Sequence, residues 1–521
     1  MAFFKASATI SSLTLTSRVF GFVRDVLLAR LLGASAMADA FFVALRLPNM
    51  LRQLFAEGAF NVAFVPFLTH KTAQQGSQEG ENFAGVVFGW VLVLVLALTV
   101  LGMVFMPQVV LLIAPGFADD PGTAALATDL ARVTLPYFVF IVATSFMGGV
   151  LHTQHRFAAF AAAPVLLNGA FIGCLLLLPG AFALPVYAAA IAVPLGGVLQ
   201  VALMAVAVKR SGFQLKIKKP QAHPDLKPLA RKIGPTFVGV GAQQINTFLT
   251  TVLASLLMPG SISYLFYADR LNQLPLALVG IALATAMLPT LSKAFKNGPA
   301  EKAQKLLGQG LSVALALGLA AGAGLCMLAY EVLTVLFVRG AFDAGDAYLT
   351  SLALMAFAVG LPAFILVKVT SGAFYARGNT ATPVKTALTS IAVNIALMLL
   401  LMPHYGHVGL AIAAAAAGWC HLLLQLYLMQ RQGIVGQVFW RTLMPYTLKA
   451  GGVTLLMVAL LALIKTNLPL PEAFGQQLLW LVLTISVGGF FWLALAMLAK
   501  LHRPFLTFAA PDSTQHQQRQ D

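Results

Sequence analysis

The sequence predicts an all-α polytopic membrane protein with about fourteen transmembrane helices, and three observations predict it. The 521 residues are 59% hydrophobic and only 10% charged, where a soluble domain carries about 25% charge. Mean hydropathy is +0.86. Apolar runs of roughly 20 residues, long enough to cross a bilayer, recur along the whole chain between short polar breaks.

The first span, 8–32, contains SRVFGFVRD. No separate apolar stretch with a small-residue cleavage site precedes it, so this helix is expected to be retained. GASAMAD leads into the second span, 35–67, whose segment ALRLPNMLRQLFAEGAF carries Arg46, Pro48, Arg52 and Glu57 at membrane depth. After the polar HKTAQQGSQEGEN come spans at 83–113, 124–152, 156–179 and 184–208. A basic stretch then separates these from spans at 230–257, 262–294, 306–338, 346–376, 382–402 and 407–430. Spans at 442–464 and 476–499 close the series, and PDSTQHQQRQD reads as a polar tail.

The net charge of +16 would suggest nucleic acid in a soluble protein. Here the positions of the cations decide otherwise. Of 33 Lys and Arg residues, 23 fall on the side of the N-terminus and two, Arg339 and Lys465, on the other. The positive-inside rule therefore puts both termini in the cytoplasm. The other eight are Arg18, Arg24, Arg30, Arg46, Arg52, Arg132, Arg270 and Lys368, within or at the ends of spans. Arg30 and Arg132 lie near span ends, where long side chains reach the interface.

Spaced matches indicate an internal duplication. Leu135-Pro136, Ser145 and Asn168 recur 226 residues later as Leu361-Pro362, Ser371 and Asn394, and Arg46-Leu-Pro-Asn echoes Arg270-Leu-Asn-Gln. Two pseudo-symmetric six-helix lobes follow, with parallel orientation. The expected domains are an N-lobe at 1–210, a basic cytoplasmic linker at 211–229, a C-lobe at 230–431, two additional helices within 432–501 and a tail at 502–521. Prolines at 48, 66, 136, 164, 235, 275, 289 and 362 predict kinked helices. The Gly-rich runs at 85–89 and 320–326 predict close helix packing.

An arginine at the centre of a membrane helix costs roughly 2.5–3.5 kcal/mol unless it faces water or a partner. Arg18, Arg24, Arg46, Arg52 and Arg270 share their spans with four carboxylates, Asp25, Asp39, Glu57 and Asp269, so the arginines exceed the acids by one. A guanidinium fork suits phosphate or carboxylate oxygens, and the constellation reads as a site for an anionic ligand. Enzymatic signatures are weaker. Cys174, Cys326 and Cys420 have no metal spacing, His152 and His155 sit in a short turn that reads as solvated, and no phosphate-binding GxxxxGK[ST] loop occurs. Transport would therefore draw on a gradient, the membrane potential or a partner.

SRVFGFVRD, ADAFFVALRLPNMLRQLFAEGAF, FVPFL, PGF, YADRLNQLP, LPTLSK and FYARGNTATPVK together resemble the MurJ (MviN) family of lipid II flippases. This family belongs to the multidrug, oligosaccharidyl-lipid and polysaccharide exporter superfamily, and the resemblance spans nearly the whole chain. It implies a bacterial inner-membrane flippase, not an enzyme, that moves the undecaprenyl-diphosphate-linked peptidoglycan precursor from the cytoplasmic to the periplasmic leaflet by alternating access around a cationic cavity. It further implies that Arg18, Arg24, Arg52, Arg270, Asp39 and Arg46 bind substrate, position 46 being often lysine in that family. Asp25, Glu57, Asp269 and Lys368 are implied as gate or ion-pair members, Asn394 as a weak sodium ligand, and the last two helices as a groove for the lipid tail. No cofactor is implied beyond coupling to the membrane potential or a monovalent cation. The implied partners are lipid II, membrane lipids and cell-wall synthesis proteins, with no nucleic acid. The alternatives are a flippase for another polyprenyl-diphosphate oligosaccharide and a multidrug antiporter of the same superfamily, whose cationic substrates suit an acidic pocket better.

Overall fold

In a bilayer every backbone amide must find a partner within the protein, and helices satisfy this segment by segment. The computed structural model describes residues 2–53 and 59–504, and among them the regular structure is helical, with no β-strand. Glu57 lies outside the described residues.

The chain divides into two compact units, Met1–Ser263 with Arg339–Asp343, and Tyr264–Val338 with Ala344–Asp521. The first contains α1 (Ala2–Leu32), α2 (Ala36–Arg52), α3 (Ala59–Gln75), α4 (Ser77–Val104), α5 (Met106–Ile113), α6 (Pro121–Thr134), α7 (Tyr137–Thr153), α8 (Ala158–Leu177), α9 (Val186–Ser211) and α10 (Leu226–Ser255). Its helices pack as α1 on α8, α8 on α9, α2 on α6 and α3 against α4, α7 and α10. A phenylalanine core joins α3, α4 and α7: Phe64 and Phe88 lie 4.7 Å and 4.5 Å from the Phe146 ring. Residues 339–343 belong here because Ala341 donates its N–H to the Arg30 carbonyl at 2.8 Å. Gly340, at φ 63°, permits the approach, since a Cβ there would stand 2.3 Å from that oxygen.

The chain leaves the first unit within the first turn of α11 (Ser261–Pro275). The second unit continues through α12 (Ala282–Asn297), α13 (Ala300–Met327), α14 (Ala329–Phe337), α15 (Ala344–Ala376), α16 (Ala381–Arg431), α17 (Gln437–Asn467) and α18 (Phe474–Leu498). Helix α15 packs on α16 and α13, and α13 on α17. Lys465 of α17 pairs with Glu331 of α14 at 2.8 Å and donates to the Met327 carbonyl at 2.9 Å, tying α17 to its own unit.

Ten helices among the described residues are long and apolar enough to cross a membrane. One of them, α16, runs for 51 residues and contains the expected spans 382–402 and 407–430. Gly406 breaks it with φ 54° and ψ −134°. The halves fold back on each other, because Ser390 Oγ donates to the Ala417 carbonyl at 2.9 Å and Thr386 Oγ1 lies 3.1 Å from His421 Nε2. The outer faces of several helices are apolar and exposed, as at Leu455 (70%) and Phe490 (73%), which is what lipid requires.

Two of the expected prolines coincide with irregular helix geometry. A π-helical turn at Leu276–Ile281 follows Pro275, and α6 and α7 meet at Leu135-Pro136. Pro48 has no N–H for the Ala44 carbonyl, and Thr134 Oγ1 of α6 supplies the missing donor at 3.1 Å. The Gly-rich run at 85–89 packs closely, but against the linker. A Cβ at Gly85 or Gly89 would stand 2.2 Å or 2.0 Å from the Lys216 or Lys218 carbonyl. Lys218 N–H donates to Gly85 O at 3.2 Å, and Trp90 Nε1–H to Gln221 O at 3.0 Å. Lys71, read from sequence as a loop cation, is buried and pairs at 2.6 Å with Asp225 at the end of this linker.

Candidate functional site

Helix α1 carries Arg18, Arg24 and Asp25 among its apolar residues. Arg18 is exposed. Arg24 is held on several sides: Nε and Nη2 donate to Asp25 Oδ1 at 2.9 Å and 2.8 Å, and Nη1 donates to Asn168 Oδ1 at 3.0 Å. Its guanidinium also lies 5.3 Å from the centre of the Phe171 ring. Asn168 is oriented in turn by donating Nδ2–H to the Ser17 carbonyl at 3.0 Å. The arrangement fixes the direction of a planar cation on the α1–α8 seam.

Helix α2 starts at Ser35, whose hydroxyl accepts from Ala38 N–H at 3.3 Å. Asp39, in the first turn, is 3% exposed. Its carboxylate accepts Gly260 N–H at 2.7 Å, Ser263 N–H at 2.8 Å and Ser263 Oγ–H at 2.6 Å. A carboxylate thus caps the start of α11, whose first amides have no intrahelical partner. Asp39 therefore caps the residues that open α11, and among the described residues its hydrogen bonds go to Gly260 and Ser263 rather than to an arginine.

Arg46 and Arg52 are half-buried on α2, on either side of Pro48. On α11, Asp269 and Arg270 are half-buried. Gln273 donates to Asp269, and the Arg270 guanidinium lies 4.8 Å from the centre of the Phe266 ring one turn earlier. Lys368 is exposed on α15, and Asn394 is buried in the first half of α16. Arg30 and Arg132 are exposed, and Arg132 pairs with Asp129 at 3.8 Å, the ordinary behaviour of a span-end arginine.

The sequence profile of the family described as "Lipid II flippase MurJ" matches residues 28–484. The chain belongs to the MurJ family. It is 36% identical over 422 residues to the "Probable lipid II flippase MurJ" of Rickettsia prowazekii, covering 81% of this chain and 83% of that one. The "Lipid II flippase MurJ" of Burkholderia cenocepacia is 36% identical over 441 residues, 83% of this chain and 85% of its own. Among solved structures, "Lipid II flippase MurJ, inward closed conformation" aligns with a TM-score of 0.80 at 26% identity, covering 95% of this chain and 99% of that one. An inward-facing multidrug transporter of the MATE family has the same fold at TM-score 0.67 and 18% identity, over 82% and 98% of the two chains. This MurJ-family chain is thus a multi-pass membrane protein of a family named for transport rather than catalysis.

Family motifs gain physical meaning in the structure. In FYARGNTATPVK, Gly378 at φ 75° ends α15 with Asn379 N–H bonded to Phe374 O at 3.0 Å, and Asn379 Oδ1 then accepts Thr382 N–H at 3.1 Å. In PGF, Gly116 donates its N–H to Ser255 Oγ at 3.2 Å. Sequence reasoning noticed Asn168 only as one member of the repeat and missed it as the Arg24 partner. Ser263 and Gly260 were missed as well. Their signal was a Pro-Gly-Ser helix start at 259–261, but nothing local pointed from it to Asp39. A network of buried Thr370, Thr386 and Gln425 with half-buried Ser371, in the second unit, was missed as a network, since its members are scattered polar residues inside apolar spans: Gln425 Nε2 donates to Ser371 Oγ at 3.0 Å and Thr386 Oγ1 at 3.2 Å.

Proposed function

We propose that this protein flips lipid II, the undecaprenyl-diphosphate-linked peptidoglycan precursor, from the cytoplasmic to the periplasmic leaflet of the bacterial inner membrane. Fourteen spans place both termini in the cytoplasm, and two six-helix lobes alternate the access of a cavity lined by Arg18, Arg24, Arg46, Arg52 and Arg270. The observation that carries this reading is the set of five arginines on α1, α2 and α11 of a chain whose family is named for lipid II.

A diphosphate cannot enter hydrocarbon with its water, so the site replaces that water with donors. Arg24 is suited to this because Asp25, Asn168 and the Phe171 ring settle its geometry before substrate arrives. Arg18, exposed two turns earlier on the same helix, supplies a second fork. Asp39 acts on the start of α11 as a positioning residue, and Asp25 orients Arg24. Outward movement of an anionic head is favoured by an inside-negative potential, by about 2.3 kcal/mol per charge per 100 mV. No cofactor takes part in the proposed cycle. Cell-wall synthesis proteins are the further partners of this reading.

The test is leaflet exposure of the precursor in cells depleted of the native flippase and carrying Arg18→Ala, Arg24→Ala, Arg52→Ala or Arg270→Ala, at matched membrane levels. Precursor trapped in the inner leaflet is expected for each. Normal exposure in all four would sink the proposal, and separate collapse of the potential and of the ion gradients identifies the driving force.

A further inference from the structure

We propose that the first unit carries a separate site for an anionic glycerophospholipid, with the phosphate on Arg156 and Arg210 and an acyl chain in the groove between α1, α8 and α9. The groove has a volume of about 460 Å³. Its floor is apolar, formed by Ile10 of α1, Phe157 before α8, and Leu203, Val206 and Ala207 of α9. Its polar rim carries His155, Arg156 and Arg210, and among the described residues no carboxylate lines it.

The local backbone builds the rim. Helix α7 ends in a turn in which Arg156 N–H bonds to Leu151 O at 2.9 Å and His155 N–H to His152 O at 3.0 Å. The turning residue, His155, sits at φ 56°, a position that glycine usually fills. This turn carries Arg156 to the end of α9, where Nη1 donates to the Arg210 carbonyl at 3.0 Å. That bond anchors the guanidinium and leaves further donors of the fork for an oxyanion. Helix α8 begins beside it without a side-chain cap, so its first amides add a positive end to the same rim.

Charge and shape together select the occupant. A soluble anion would use the two guanidinium groups but gain nothing from Ile10, Leu203 and Val206. A zwitterionic lipid would gain from the floor but brings its own cation to a basic rim. An anionic lipid satisfies both, at the depth where apolar helices meet basic loops. The leaflet that supplies it rests on the orientation proposed above, whereas binding itself does not, so the test reads binding rather than flipping.

The experiment is native mass spectrometry of the full-length protein in detergent, titrated with phosphatidylglycerol, with phosphatidylcholine of the same chains, and with glycerol 3-phosphate. Phosphatidylglycerol is expected to be retained in preference to phosphatidylcholine and not displaced by glycerol 3-phosphate. Arg210→Gln, which leaves the backbone carbonyl that anchors Arg156, should weaken phosphatidylglycerol about tenfold. Val206→Trp should fill the groove and weaken it comparably with every charge intact. Because Val206 is 48% exposed, the larger ring does not overpack the core and tests the site even if Arg210→Gln fails to fold. Arg441→Gln, an exposed cation on α17, should change nothing. Wild-type retention in both groove variants, an equal loss in Arg441→Gln, or displacement by glycerol 3-phosphate would each overturn the assignment.

Discussion

Removing the Asp39 carboxylate should loosen the start of α11 by an amount that can be ordered in advance. Three donors converge on it at 2.6–2.8 Å, and both Asp39 (3% exposed) and Ser263 (0%) are shut away from water. Ser263→Ala deletes one hydrogen bond to a charged acceptor, worth about 1.5–3 kcal/mol. Asp39→Asn keeps one acceptor oxygen but turns an amide donor toward a backbone N–H, so it should cost more. Asp39→Ala strands the Ser263 hydroxyl and two backbone amides together, on the scale of roughly 3–5 kcal/mol for losing one partner of a buried charged cluster. The assay is thermal unfolding of the purified full-length protein in detergent, followed by tryptophan fluorescence, with the double variant Asp39→Ala/Ser263→Ala completing a cycle. Melting should fall in the order wild type, Ser263→Ala, Asp39→Asn, Asp39→Ala, and in the Asp39→Ala background Ser263→Ala should cost little further. If Asp39→Ala melts with the wild type, or if the two single losses simply add, the carboxylate is not what holds α11.

Three further outcomes follow from other contacts. Arg24→Lys keeps the charge but cannot reach Asp25 Oδ1 with two nitrogens and Asn168 with a third, so precursor exposure should fall nearly as far as in Arg24→Ala, with Asn168→Ala intermediate. Gly85→Ala and Gly89→Ala drive a methyl group into the Lys216 and Lys218 carbonyls, and limited proteolysis should then cut the 213–223 segment faster than in the wild type, while Gly451→Ala, with open space around it, leaves the rate unchanged. At the N-terminus of α6, Thr123 hydrogen bonds hold the Asp120 carboxyl below its ordinary value. A depressed carboxyl contributes stability above its unfolded value that is lost as the pH falls through its folded one, so the protection of α6 amides, corrected for the intrinsic pH dependence of exchange, should fall only on acidification below the usual carboxylate range, and Asp120→Ala should remove that fall.

The sequence by itself determined the class of the molecule, because hydrophobic run length and charge content respond to lipid directly and need no knowledge of neighbours. It also marked the arginines of α1, α2 and α11 as residues needing a reason, since a guanidinium at membrane depth is costly wherever the helix lies. The π-helical turn after Pro275 and the carbonyl that Pro48 leaves without its helical donor were legible because a proline acts through its own backbone. What only the tertiary structure decided was partnership. Asp39 reaches Ser263 across 224 residues and Arg24 reaches Asn168 across 144, and Thr134 answers the carbonyl freed by Pro48 from another helix. Glycines at 85 and 89 admit an extended linker rather than a helix. Such pairings depend on which helix faces come together, and a hydrogen-bond partner distant along the chain leaves no local pattern in the sequence.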